Sequence, residues 1–278
     1  MDKPLSIFGW LKTLYLRIGK HDLFGLAAQL AYFFLLSLFP LLITLFSILP
    51  FLPITEEMIL GFLDDFAPGE TLQYIEQNIT PILDSHDGGL LSFGIIATIW
   101  AASNGMNAII RAINRAYDVK ENRHFLFVRA LSVLLTIVMI FVFLLALLLP
   151  VFGKHIGIVL SSMIGLSEDF LHVWNVLRWI VSAIILFFMF SALYLVTPNK
   201  KLKCLAIIPG AIFSTIGWMV SSFGFSFYVD NFGNYTVTYG SLGVIIILMI
   251  WFYLTGVILL LGGEINAIRE DLKNKPCP

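Results

Sequence analysis

Apolar residues dominate this chain in six long blocks, each parted from the next by a shorter polar or charged stretch. A helix needs about 20 predominantly apolar residues to cross the hydrocarbon of a bilayer. Blocks over residues 26–51, 90–110, 130–152, 179–196, 205–228 and 241–263 meet or approach that length. Inside hydrocarbon each backbone amide must find its partner within its own segment, so helices are predicted rather than an open sheet. The expected fold is all-α: a polytopic membrane protein with six transmembrane helices, forming one integral membrane domain over residues 1–278.

Two weaker periodicities add to this. Ile7, Leu11, Leu14 and Ile18 recur at helical spacing with Lys12, Arg17 and Lys20 among them, which predicts an N-terminal interfacial helix lying along the membrane surface. In the first outer loop, residues 56–89, apolar positions such as Ile59, Leu63, Leu72 and Ile79 predict short amphipathic helices on either side of Pro68-Gly69.

Composition removes the soluble alternative. The chain is 59% hydrophobic and 13% charged, about half the charge of a soluble domain. Charge then sets the orientation. Four Lys and Arg precede the first span, five follow the second, three follow the fourth and three follow the sixth, which puts fifteen of the seventeen on one side. Positive residues are retained on the cytoplasmic side during insertion, so both termini are expected in the cytoplasm. Eight acids and no Lys or Arg lie between Glu56 and Asp87, on the outer side. No basic surplus points to nucleic acid, and Cys204 and Cys277 fall on the reducing side, where a structural disulfide is not expected.

Polar residues inside the spans are the candidates for function. On a wheel of about 100° per residue, Trp100, Ser103, Asn104, Asn107, Arg111, Asn114 and Arg115 share an arc of roughly 120°, with Ile95, Ile99, Met106, Ile109 and Ile113 opposite. Such a stripe is costly against lipid and should face protein or water. It either lines a hydrophilic pathway or serves as hydrogen-bonding glue between helices. Pro40 interrupts the first span near its middle, where Ser37 is placed to re-satisfy the loosened turn; Gln29 and Tyr32 lie about two to three turns before it. Gly210, Ser214, Gly217, Ser221 and Gly224 form a stripe of small residues on the fifth span, suited to close helix packing. Glu264, directly after the sixth span, is expected to pair with Arg111 at matching depth and to gate the inner mouth with it.

Several of these segments resemble a known family. They are GLAAQLAYFFLLSLFPLL over residues 25–42, Trp100-Ala101-Ala102-Ser103, Asn114-Arg115-Ala116-Tyr117, Pro198-Asn199, Pro209-Gly210-Ala211, Tyr239-Gly240-Ser241-Leu242 and Gly262-Gly263-Glu264-Ile265-Asn266-Ala267. In content, order and spacing they resemble the YihY/BrkB family of bacterial inner-membrane proteins, once mislabelled ribonuclease BN. The resemblance implies six transmembrane helices and a multi-pass location in the bacterial cytoplasmic membrane. It implies little about activity, for which transport and envelope roles have been proposed.

An enzyme is not expected. The five histidines are scattered without metal-ligand spacing, and no phosphate-binding glycine loop or nucleophile elbow is present. No cofactor is implied. The expected function is a translocation pathway for a lipid-like or envelope-related substrate, lined or gated by Gln29, Tyr32, Pro40, Trp100, Asn104, Asn107, Arg111, Tyr239 and Glu264. The alternative is an envelope scaffold or assembly factor. Ion or proton antiport is less favoured, since no carboxylate lies mid-span. The expected partners are the bilayer, a lipid-like substrate and further copies of the chain in a homo-oligomer.

Overall fold

A computed structural model of the chain describes residues 7–52, 58, 83, 85–164, 168–202, 204–232 and 242–274. Among these residues the regular structure is helical, and no strand occurs. In chain order the helices are α1 (Ile7–Lys20), α2 (Leu23–Ile48, continued by a 3-10 turn Leu49–Phe51), α3 (Gly88–Ala116), α4 (Phe125–Ile164), α5 (Glu168–Val196), α6 (Cys204–Phe232) and α7 (Leu242–Asn274). Helices α2 to α7 each carry a segment long and apolar enough to cross a membrane, six in all. The amphipathic helices expected within residues 56–89 lie almost wholly outside the described residues.

Several helices extend beyond the expected spans. Helix α4 has 40 residues, about 60 Å at 1.5 Å per residue, twice the thickness of the hydrocarbon. Helix α7 continues for three turns beyond Gly262-Gly263, because those glycines serve close packing and do not end the helix. A Cβ on Gly262 would collide with Ser214 Oγ and Tyr194 OH, and one on Gly210 with the backbone oxygen of Gly262. Only a hydrogen at these two positions lets α6 and α7 approach so closely. The small-residue stripe on α6 is used unevenly: a Cβ at Gly217 would press on Ile258 at 3.2 Å, and one at Gly224 would meet nothing within 4 Å.

The chain forms two compact units, one holding residues up to Phe33 and from Ser103 onward, the other Phe34–Ala102. In the second unit α2 runs unbroken through Pro40. Ser37 Oγ donates to Phe34 O at 2.7 Å, leaving the carbonyl that the proline ring obstructs, that of Leu36, without this hydroxyl. One turn on, Thr44 Oγ1 donates to Pro40 O at 2.9 Å and lies 3.2 Å from Thr98 Oγ1. Gly94 makes room for that approach, since its Cβ would lie 2.9 Å from Thr44 Oγ1.

In the first unit α7 packs on α6 and on α1, and α5 packs on both α4 and α6. Helix α1 leaves Phe8, Leu11, Tyr15 and Leu16 exposed, while Leu14 and Ile18 are half-buried. Tyr194, fully buried on α5, locks the core: its hydroxyl donates to Leu259 O at 2.6 Å and lies 2.6 Å from Ser214 Oγ.

Candidate functional site

The polar chemistry of the first unit gathers where basic residues of α1, α3 and α4 meet acids of α7 and of the loop after α3. The turn between α1 and α2 presents His21, held by a bond from its backbone N–H to Arg17 O at 2.9 Å and followed by Asp22 in the left-handed region (φ 52°). The imidazole is buried. Its Nδ1 lies 2.5 Å from Glu264 Oε1 on α7, and its Nε2 lies 3.7 Å from Asp118 Oδ1. Arg17, one turn earlier, lies 3.8 Å from Glu264 Oε2, donates to Ala116 O at 3.2 Å and pairs with Asp271. Lys20 donates to both oxygens of Asp118 at 2.8 and 3.0 Å. These bonds pin α1 to α7 and to the end of α3.

Helix α3 ends in a Schellman motif, with Val119 N–H donating to Asn114 O and Asp118 N–H to Arg115 O. Asp118 takes the left-handed position (φ 51°), which an aspartate tolerates better than most residues. The helix end presents Asn114, whose Oδ1 accepts from Asn199 N at 2.7 Å and whose Nδ2 donates to Glu121 Oε2 at 2.9 Å. Glu121 accepts two bonds from the Arg123 guanidinium at 2.8 and 2.6 Å, and Arg123 donates in turn to Thr197 O at 2.9 Å. The loop after α3 is thereby stitched to the end of α5. Hydrogen bonding by Lys20 holds the Asp118 carboxyl below its ordinary range, and hydrogen bonding by Arg123 does the same for Glu121. Burial, then the carboxylates of Glu270, Asp271 and Glu264, push the Tyr117 phenol upward, so it stays protonated.

Beside this network two cavities open, of about 320 and 390 Å³. Arg111 and Glu121 border both. The larger is walled by Asn107, Ile110, Arg123, Phe125, Val128 and Arg129, so polar and apolar side chains face each other across it. Arg129 donates to Asn104 Oδ1 at 2.8 Å, tying α4 to α3 at the cavity. On this part of α3 the apolar side (Met106, Ile109, Ile113) is buried and the polar stripe is divided: Ser103 and Asn114 are buried, Asn104 and Asn107 half-buried, Arg111 and Arg115 exposed.

The candidates read from the sequence separate accordingly. Asn107 and Arg111 border the larger cavity, and Asn104 reaches it through Arg129. Gln29 and Tyr32 are exposed on α2, Trp100 is exposed and Pro40 half-buried in the other unit, and Tyr239 lies outside the described residues. Glu264 is 2% exposed and borders neither cavity. Its partners are His21 and Arg17; the expected bond to Arg111 is absent among the described residues, because the α1–α2 turn places an imidazole against that carboxyl. Sequence reading missed His21, Arg17 and Asp118 as site residues, although the cluster of charge at Arg17, Lys20 and His21 directly before a span was a visible signal. Among the described residues no three His, Cys, Asp or Glu side chains gather as a metal site.

Six helices long and apolar enough to cross a membrane, among the described residues, define a multi-pass α-helical membrane protein, embedded in a lipid bilayer. A family model described as virulence factor BrkB matches residues 14–276, and the chain belongs to that family. It is 52% identical over 267 residues to a Bacillus subtilis (strain 168) protein called putative ribonuclease-like protein YfkH, covering 96% of this chain and 97% of that one. It is 31% identical over 252 residues to a UPF0761 membrane protein of Vibrio campbellii, covering 87% and 76% of the two chains. A UPF0761 membrane protein of Vibrio parahaemolyticus is 32% identical over 277 residues, covering 94% and 82%. No solved structure matches the chain.

Proposed function

We propose that this chain is a translocation pathway for a lipid-like amphiphile in the bacterial cytoplasmic membrane, with its basic end and both termini in the cytoplasm. The observation that carries the reading is the cleft between α3 and α4. Asn107 and Arg111 of α3 border it, Asn104 reaches it through Arg129, and Ile110, Phe125 and Val128 supply apolar walls. Asn104 and Asn114 are taken up by bonds to neighbouring segments, whereas Asn107 and Arg111 make no such bond among the described residues and face the cleft. A cleft of mixed character suits a molecule with a polar head and an apolar body. The orientation rests on fifteen of seventeen Lys and Arg lying on one side of the spans.

Within this reading Asn104, Asn107 and Arg111 line the inner mouth. Gln29, Tyr32, Pro40, Trp100 and Tyr239 are further candidate positions of the pathway. Glu264 acts through α1, as the anchor that His21 grips. Protein reconstituted into liposomes tests the proposal. Movement of a fluorescent lipid between leaflets is expected in wild type, without ion flux, and Arg111→Ala and Asn104→Leu are expected to abolish it. Inert wild type that co-purifies with a stable membrane partner favours an envelope scaffold instead.

A further inference from the structure

The cleft also carries information about the head group it would take, an inference that rests on the translocation reading only for its direction and not for the binding itself. Its two cavities together are bordered by five cations (Arg111, Arg115, Lys120, Arg123, Arg129) and two acids (Asp118, Glu121). Both acids are already engaged: Glu121 by Arg123 and Asn114, Asp118 by Lys20. Arg129 gives one nitrogen to the neutral amide of Asn104. Arg111 stands between the two cavities, exposed, and makes no hydrogen bond or ion pair among the described residues. Positive charge therefore exceeds negative charge within the cleft, centred on a guanidinium with its donor fork open.

The apolar surroundings say where that charge lies. Phe125, Leu126 and Phe127 open the α4 spanning segment and are 73%, 66% and 57% exposed. The first residues of a spanning segment lie at the edge of the hydrocarbon, next to the head groups. A cationic cleft at that depth, with one apolar wall continuous with the lipid-facing surface, matches a basic pocket between transmembrane helices that receives a lipid head group. Arginine at such a place favours an anion with several oxygens in one plane of approach, which phosphate supplies.

We infer that the cleft between α3 and α4 is a binding site for the phosphate group of an anionic amphiphile, with Arg111 as the direct ligand and Asn107 and Arg129 flanking it. The phosphate belongs either to a lipid head group or to a free anion, and the test separates these. Full-length protein in a neutral detergent is titrated with phosphatidylglycerol and with phosphatidylcholine, and bound lipid is read by native mass spectrometry. Phosphatidylglycerol is expected to bind preferentially. Arg111→Gln should weaken it about tenfold or more, Arg111→Lys should restore part of the loss, and Lys12→Gln, an exposed cation on α1, should leave binding unchanged.

Displacement of the lipid by millimolar inorganic phosphate identifies a phosphate-group site open to the free anion. Resistance to inorganic phosphate identifies a lipid head-group site. Equal binding of the two lipids, or equal loss from Arg111→Gln and Lys12→Gln, overturns the inference. Arg111-dependent binding in a protein that moves no lipid upholds the site and removes the translocation reading. Lipid movement with no preference for phosphatidylglycerol and no effect of Arg111→Gln removes the site alone.

Discussion

Nδ1 of His21 lies 2.5 Å from Oε1 of Glu264, across 243 residues of sequence, and both side chains are nearly closed to solvent. The pair joins the turn before the first span to the last helix of the chain. Helix α1, outside the spans, is thus bound into the structure by a buried polar contact reinforced by Arg17.

Breaking this pair on one side should be costly. Leaving a buried polar group without its hydrogen-bond partner typically costs about 1–3 kcal/mol, more for a charged one, because the remaining group stays desolvated. His21→Ala should therefore lower the melting temperature of the detergent-solubilised protein markedly. Glu264→Gln, which keeps an acceptor oxygen for the imidazole, should cost less. If His21→Ala melts with wild type, α1 is not held by this contact.

Acid should loosen the loop after α3. The carboxyls of Asp118 and Glu121 are held below their ordinary range, so the unfolded chain binds their protons at higher pH than the folded one does. Their contribution is complete above the ordinary carboxylate range, about pH 4, and is lost as pH falls through the folded values. Asp118 is more than half exposed, so its share is small. The expected result is a melting-temperature gap between wild type and the double variant Asp118→Asn/Glu121→Gln that is present at pH 6 and closes towards pH 3. A gap that widens on acidification contradicts the assignment.

The glycines of the α6–α7 contact should be intolerant in a position-dependent way. Gly262→Ala would drive a methyl into Ser214 and Tyr194, and overpacking of this kind costs about 1–3 kcal/mol or more. Gly224→Ala meets open space and should be neutral or stabilising by up to about 1 kcal/mol through helix propensity. Thermal melts of the two variants side by side decide whether close approach or mere smallness matters on α6.

Asn114 should behave as a structural joint. Its side chain satisfies Asn199 N–H and also bonds Glu121. Asn114→Ala strands a partly buried donor, at about 1–3 kcal/mol, and frees the loop from the end of α5. Faster proteolysis at residues 117–124 is the expected readout, and unchanged proteolysis counts against the joint.

The spans, the all-α class and the family were legible because each depends on local properties. A run of apolar residues identifies its own helix, and the ordered motifs from Gly25 to Asn266 mark the family without any knowledge of contacts. Even the polar stripe of α3 could be placed on one face from its spacing alone. Which neighbour that face meets was not legible. Lipid solvates Leu and Phe as well as a protein interior does, so apolar periodicity does not set how each helix is rotated in its bundle. The partners of Glu264 show the consequence: matching depth suggested Arg111, while helix rotation and the turn at Asp22 supplied His21 and Arg17. Tertiary structure alone also decided that Gly262 approaches Tyr194 and that Arg111 borders an open cleft. Those facts depend on side chains from distant segments competing for the same space, and only the assembled helices resolve that competition.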